Sequence, residues 1–334
     1  MTSVETTEIG QTAVRDAEAE MGMVAKAGPF GRTLVEAARQ RTDIAAVSAD
    51  LKKYTDLTAF AQIFPERYVE VGMAEQNLVC VAAGLAKSGL TVVATSFAAF
   101  LSRRTLDFIV MQVALPRARV ILVGATPGIS ATFGPSHTTV EDLAIMRAVP
   151  NLTVLDPTDP QEAAEALAWA LECDGPVYLR QPFNRASTQR PDGQVLPPFE
   201  VGRAHVVREG EDLTVVVTGD RLQSALRAAE SLARDHGVES AVIRATSVKP
   251  FDDETVAHWA RRTGRVLTVE NHSLYGGLFS TVCEVVAARA IAARVAGNGV
   301  KDVFPPFGTP GHVPVVLGMI EADVVADALA LMEK

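Results

Sequence analysis

Six short apolar runs punctuate the first half of this 334-residue chain: Ile44–Ser48, Tyr68–Val71, Val92–Thr95, Val120–Val123, Leu152–Leu155 and Val177–Arg180. Helical stretches stand between them, among them Arg32–Gln40, a segment opening at Glu75, Leu101–Val113, Val140–Arg147 and Pro160–Leu171. Strands that read as unbroken apolar runs are buried on both faces, which calls for a parallel sheet covered by helices on either side. Doubly wound sheets of this kind bind ligands beyond the carboxyl ends of their strands. Glu75, Phe97, Phe100, the 124–137 segment and Arg180 all follow strands, so the alternation predicts that they meet at one edge of the sheet.

Composition shifts over Gln181–Pro198, which is rich in proline and polar residues and reads as a connection. A second alternation follows, with strands at Leu213–Thr218, Ala241–Arg244 and Val266–Glu270. Its helices are Arg221–Asp235, Asp253–Arg262, Gly277–Ala292 and Glu321–Met332. The expected class is α/β with two doubly wound domains. Their bounds are set at 25–190 and 203–334, with an N-terminal arm at 1–24 and a linker at 191–202.

A formal charge of -9 argues against a general binder of nucleic-acid backbones, which needs a basic surface. No apolar run reaches membrane-spanning length, and Met1–Glu20 lacks the apolar core of a signal peptide. A cytoplasmic protein is expected. Cys80, Cys173 and Cys283 have no metal-ligand spacing and are expected to be small buried hydrophobes.

The densest local signal is Tyr68-Val69-Glu70-Val71-Gly72-Met73-Ala74-Glu75-Gln76-Asn77, running into the small-residue helix that ends near Ala86. Glu75 falls in the first turn of that helix. Electrostatics alone accounts for a carboxylate there, because it offsets the positive end of the helix dipole. Phe97 and Phe100 stand three apart after a strand, a spacing equally suited to core packing. His137 precedes a helix and can serve as a cap.

Gly-Met-Ala-Glu-Gln-Asn before an Ala/Gly-rich helix resembles the signature of the transketolase family's pyrimidine-binding domain. The resemblance continues through Ser96–Phe100, Arg104–Asp107, Pro135–His137, Glu141–Ala144, Met146–Asn151 and Leu155–Asp159. It implies a first domain that binds the pyrimidine of thiamine diphosphate and a second of the transketolase C-terminal type. In that family the glutamate matched by Glu75 bonds a ring nitrogen of the cofactor, so that the cofactor's own amino group can take the thiazolium proton. The resemblance implies a cofactor-flanking role for Phe97 and Phe100, with Phe100 stacking on the ring. It matches Asp50 to an aspartate near the cofactor at a subunit interface. His137 corresponds to an active-site histidine that handles protons or substrate hydroxyls, and Arg180 to a ligand for the substrate's anionic group. Asn271-His272-Ser273 looks catalytic in isolation, but the family makes that loop structural or interfacial.

The departures are equally informative. Thiamine enzymes hold the diphosphate through Mg²⁺ with a Gly-Asp-Gly segment and a later asparagine, and no Gly-Asp-Gly occurs here. The Mg²⁺ ligands are therefore expected on a separate N-terminal subunit of a split transketolase, in an assembly of two copies of each chain. A 2-oxoacid dehydrogenase β subunit, a fragment of 1-deoxyxylulose-5-phosphate synthase and a non-catalytic partner subunit are the alternatives. Where the family carries Asp-Gly-x-(Ser/Thr)-His, this chain reads Phe133-Gly134-Pro135-Ser136-His137. Phenylalanine at the place of a hydroxyl-binding aspartate predicts a modified sugar or 2-oxo compound as substrate.

Overall fold

The computed structural model describes residues 22–131, 133–182 and 196–333. Most of the expected arm and the first five residues of the expected linker lie outside these residues. Seven strands form the first sheet, in the order β10-β5-β6-β4-β3-β1-β2. They are β1 (Ile44–Ser48), β2 (Tyr68–Glu70), β3 (Thr91–Phe97), β4 (Val120–Ala125), β5 (Thr153–Leu155), β6 (Val177–Gln181) and β10 (Ser247–Lys249). All neighbours in it are parallel except β10, which runs antiparallel to β5.

Side chains alternate across this sheet as the pleat requires. Val47, Val92 and Leu122 face one apolar cluster with Leu78, Leu101 and Met146. Ala46, Val93 and Ile121 face the other with Leu34, Phe60 and Leu167. A large aliphatic side chain buried in this way contributes roughly 1.5–3 kcal/mol, and helices on both faces supply the partners.

The second sheet has five strands in the order β12-β11-β8-β9-β7: β7 (His205–Arg208), β8 (Leu213–Val217), β9 (Ser240–Arg244), β11 (Arg265–Ser273) and β12 (Arg294–Val300). Only β7 is antiparallel. No helix among the described residues is long and apolar enough to cross a membrane.

Several local expectations are corrected. The helix expected over Leu101–Val113 is broken into Ala98–Arg103, Leu106–Phe108 and a π-helical turn at Ile109–Ala114. Ser102 Oγ and Thr105 Oγ1 donate back to the Ala98 and Leu101 carbonyls, a pattern that bends helices. The helix expected to reach Ala292 stops at Ala288, and Arg294–Val300 is an edge strand instead. None of the cysteines is buried: Cys80 is exposed and the other two are half-buried. Cys80 lies on the outer side of its helix, whose inner side is Leu78, Val79, Ala82 and Ala83.

Candidate functional site

After β1 the chain runs out to β2 on one side, and β3 then returns to the other side of β1. Loops leaving the carboxyl ends of β1 and β3 thus part company there, which opens the crevice where such sheets take ligands. The β2 strand leads through Gly72, whose φ of +70° suits glycine, into the helix Glu75–Lys87. Glu70 braces this turn, accepting from the Asp50 and Gly72 N–H groups at 2.7 and 3.1 Å and from the Tyr68 hydroxyl at 2.6 Å.

Glu75 is 3% exposed. Its Oε2 accepts from Arg104 Nη1 at 2.9 Å, and Ser96 Oγ reaches Oε1 at 3.4 Å. The pocket around this buried carboxylate is not purely apolar, because Arg104 closes one side of it. The same guanidinium lies 4.0 Å from the centre of the Phe100 ring.

Beside Glu75 stands an aromatic wall. Phe97 is buried at the end of β3 and packs on Phe100 at 6.0 Å, Phe133 at 6.1 Å, His137 at 6.1 Å and Tyr54 at 5.7 Å between ring centres. His137 sits edge-on to Phe100 at 5.1 Å and 5.3 Å from Phe133. Ser136 Oγ pairs with His137 Nδ1 at 2.9 Å, which leaves Nε2 for another partner. Tyr54 also borders a cavity of about 660 Å³ whose lining includes Lys26, Lys53 and Gln181. Asp50 is exposed and held at φ +59°, at the mouth of the loop after β1.

Glu75, Phe97, Phe100, Phe133 and His137 are thus brought together, from three stretches of the chain. Arg180 is not part of that group. It is 1% exposed, and Asp142 takes its Nε and Nη2 at 2.8 and 2.6 Å while Asp156 takes Nη1 at 3.2 Å. A guanidinium neutralised by two carboxylates and shut off from solvent is not available to a substrate anion, so its sequence-based role is corrected: it clamps the seam between the two domains. Its Nη1 also donates to the Asn271 carbonyl of β11 at 3.3 Å.

That seam is densely charged. Burial opposes ionisation of Asp142, but Arg180 holds its pKa below the ordinary carboxylate range. Burial pushes Asp156 up to about 7 against the pull of Arg180, and Glu270 up to about 8 although the Phe279 and Leu278 N–H groups donate to it. His272 is held down at about 4 by burial and by Arg180. Among the described residues no group of three or more His, Cys, Asp or Glu side chains is placed to hold a metal ion.

The transketolase pyrimidine-binding domain model matches residues 23–187, and the transketolase C-terminal domain model matches 202–324. The chain belongs to the transketolase family. It is 36% identical over 91% of its length to a putative transketolase C-terminal section from Methanocaldococcus jannaschii, covering 94% of that protein. A 6-deoxy-6-sulfo-D-fructose transketolase subunit from a Clostridium species is 37% identical over 90% of this chain and 92% of its own. Several 1-deoxy-D-xylulose-5-phosphate synthases match at comparable identity, and the chain spans about half of their length. A solved structure described as a split-gene transketolase, inactive β4 tetramer, superposes with a TM-score of 0.82 at 37% identity, over 91% of this chain and 97% of that one. Both halves of this transketolase-family chain are therefore matched in order.

Sequence reasoning missed Tyr54, Ser96 and Arg104 as neighbours of the site. Ser96 and Arg104 flank Phe97 and Phe100 and carried a signal by adjacency. Tyr54 carried none, since only the pairing of β1 beside β3 brings the loop after β1 against Phe97.

Proposed function

We propose that this chain is the C-terminal subunit of a split transketolase, transferring a two-carbon ketol unit with thiamine diphosphate once an N-terminal subunit has docked. The observation that carries the reading is the buried Glu75 carboxylate beside the Phe97, Phe100, Phe133 and His137 rings at the carboxyl edge of the first sheet. An aromatic wall with one buried carboxylate fits a flat heteroaromatic ring carrying a basic nitrogen. When bound, the cofactor supplies a nucleophilic thiazolium carbon that takes up the ketol fragment.

Glu75 would hold a proton against the ring nitrogen, and Phe100 would lie along the ring face. His137 Nε2, left over from the Ser136 contact, would hold or release the proton of a substrate hydroxyl. Phe133 would exclude water from the reacting end. The cavity bordered by Tyr54, Lys26 and Lys53 is the place for the far, anionic end of the substrate, in the role Arg180 cannot fill.

Large apolar side chains stand exposed at Met73, just before the Glu75 helix, and along the helical stretch that follows Phe100, at Leu106, Phe108, Met111 and Leu115. A face of that kind suits a protein partner. We assign to the partner the Mg²⁺ ligands and the diphosphate site, and to the assembly two copies of each chain in the cytoplasm. The substrate we favour is a deoxygenated or otherwise modified sugar, because Phe133 cannot reward the hydroxyl that an aspartate would bind. The Clostridium relative is named for a substrate of that kind.

The test is calorimetry and turnover on this chain alone and co-purified with its partner. The complex should bind thiamine diphosphate with Mg²⁺ and move a ketol unit to an aldose, whereas the chain alone should bind weakly. Tight Mg²⁺-dependent binding by the chain alone would falsify the split-subunit reading. Decarboxylation of pyruvate onto glyceraldehyde 3-phosphate would place the complex with the deoxyxylulose synthases instead.

A further inference from the structure

The segment Thr126–Thr139 that carries Phe133 and His137 leaves β4 and is closed by a bridge between Gly128 and Thr139. The second domain grips it. Asn271, at the carboxyl end of β11 and 3% exposed, accepts from the Ile129 N–H at 2.9 Å through Oδ1. Its Nδ2 donates to Ser130 Oγ at 3.1 Å and to both Asp220 oxygens at 3.1 Å. Ser130 Oγ in turn donates to Asp220 Oδ2 at 3.1 Å. Only one orientation of the amide satisfies an N–H on one side and a carboxylate on the other. The backbone is pressed against this group: a Cβ on Gly128, at φ +62°, would lie 2.1 Å from Asn271 Oδ1. Farther along the segment, Phe307 packs on Gly134 and the Ser273 N–H donates to the Val140 carbonyl at 2.7 Å.

We infer that Asn271 and Asp220 are positioning residues for the transfer reaction, setting where Phe133 and His137 stand without touching substrate. The inference rests on the functional reading above, and it gives the C-terminal domain a part in the chemistry through one loop. Asp220 orients the Asn271 amide, Asn271 fixes the Ile129 and Ser130 backbone, and the loop then presents the two rings to the wall of Phe97 and Phe100.

The experiment uses hydrogen exchange on the full chain and steady-state kinetics on the chain co-purified with its partner. Asn271→Asp keeps an acceptor for Ile129 but sets a carboxylate against Asp220. It should speed exchange in residues 126–139 at least about tenfold, as expected when a buried hydrogen bond is lost. In the complex it should lower kcat roughly ten- to a hundredfold, the order expected of a small misplacement, with the cofactor Kd unchanged. The paired exchange, Asn271→Asp with Asp220→Asn, restores donor facing acceptor and should recover both readouts to within about threefold of wild type. Unchanged exchange at 126–139 in Asn271→Asp overturns the proposal. So does loosening spread across the whole second sheet, or a paired exchange no better than the single one. A wild-type complex that transfers no ketol unit sinks the functional reading only, and the exchange measurements still decide whether the pair holds the loop.

Discussion

Arg104 donates from Nη1 to Glu75 Oε2 at 2.9 Å while its guanidinium covers the Phe100 ring at 4.0 Å. One side chain thereby occupies both groups proposed to hold the cofactor ring. A ring nitrogen bonding Glu75 would share the carboxylate with Arg104 on Oε2 and Ser96 on Oε1, and a ring lying on the face of Phe100 that Arg104 covers would have to displace it.

This competition sets the first prediction. The exposed parts of such contacts are worth about 1 kcal/mol together. Arg104→Ala in the complex should therefore tighten thiamine diphosphate binding about three- to tenfold by calorimetry. Glu75→Ala should leave the fold intact and slow deuterium exchange at the thiazolium C2 by roughly 10²–10⁴-fold. Weaker binding in Arg104→Ala would mean that the arginine holds Glu75 in its working position instead.

Phe133 is 46% exposed and lies nearly parallel to Phe97, at 29°. Replacing it costs little packing but restores a hydroxyl acceptor. Phe133→Asp should raise kcat/KM for fructose 6-phosphate and xylulose 5-phosphate by about tenfold or more, since polar sites discriminate strongly for their hydroxyls. Wild-type turnover of both donors already at full efficiency would remove the basis for a modified substrate.

Arg180 belongs to the scaffold. Removing one partner from a buried ion pair costs about 3–5 kcal/mol because the remaining charges stay buried. Arg180→Gln leaves Asp142 and Asp156 in that state and should shift the urea midpoint down accordingly. A substrate ligand would instead show normal stability with a raised KM, and that outcome would return Arg180 to the active site.

His272 makes the seam sensitive to acid. Fully buried among Arg180, Asp142 and Glu270, it has its pKa lowered from 6.5 to about 4. The unfolded chain takes up a proton there that the folded chain refuses. Stability contributed by this residue is complete above pH 6.5 and is lost as pH falls from 6.5 toward 4, up to about 3 kcal/mol. Asp156 and Glu270, raised to about 7 and about 8, act in the opposite sense, losing their contribution as pH rises through those values. Subtracting His272→Gln cancels both. The difference in urea midpoint between wild type and variant should grow with pH from about 4 to 6.5 and then level off; a flat difference would show that His272 titrates alike in the folded and unfolded chain, and one that falls with pH that the fold holds it protonated.

Most of the sheet architecture was legible because parallel strands advertise themselves as apolar runs. The strands that escaped, β7, β10 and β12, sit at sheet edges, where one side lacks a partner and polar residues are tolerated. In β12 the Gly297-Asn298-Gly299 run also suppresses any strand signal. Phe97, Phe100 and His137 were readable as a group by resemblance, since each belongs to a local motif. Arg180 misled for a physical reason: an arginine closing an apolar strand looks like an exposed ligand. Its neutralising partners, Asp142 and Asp156, lie 38 and 24 residues away in the chain. Pairings at that separation are created by the fold and leave no trace in a window of sequence. The same holds for Asn271, whose acceptor role depends on an N–H 142 residues earlier.

The strand Ser247–Lys249 belongs by sequence to the second half, yet it completes the edge of the first sheet by pairing with Thr153–Leu155. The two halves are consequently not independent modules that a protease or a gene engineer can part at the connection between them. Cut there, the first half would display an open β5 edge, and the second would carry a strand with nothing to pair with. Each is a template for the missing half of another molecule, so the separated pieces are set up for exchange between chains rather than for life as monomers.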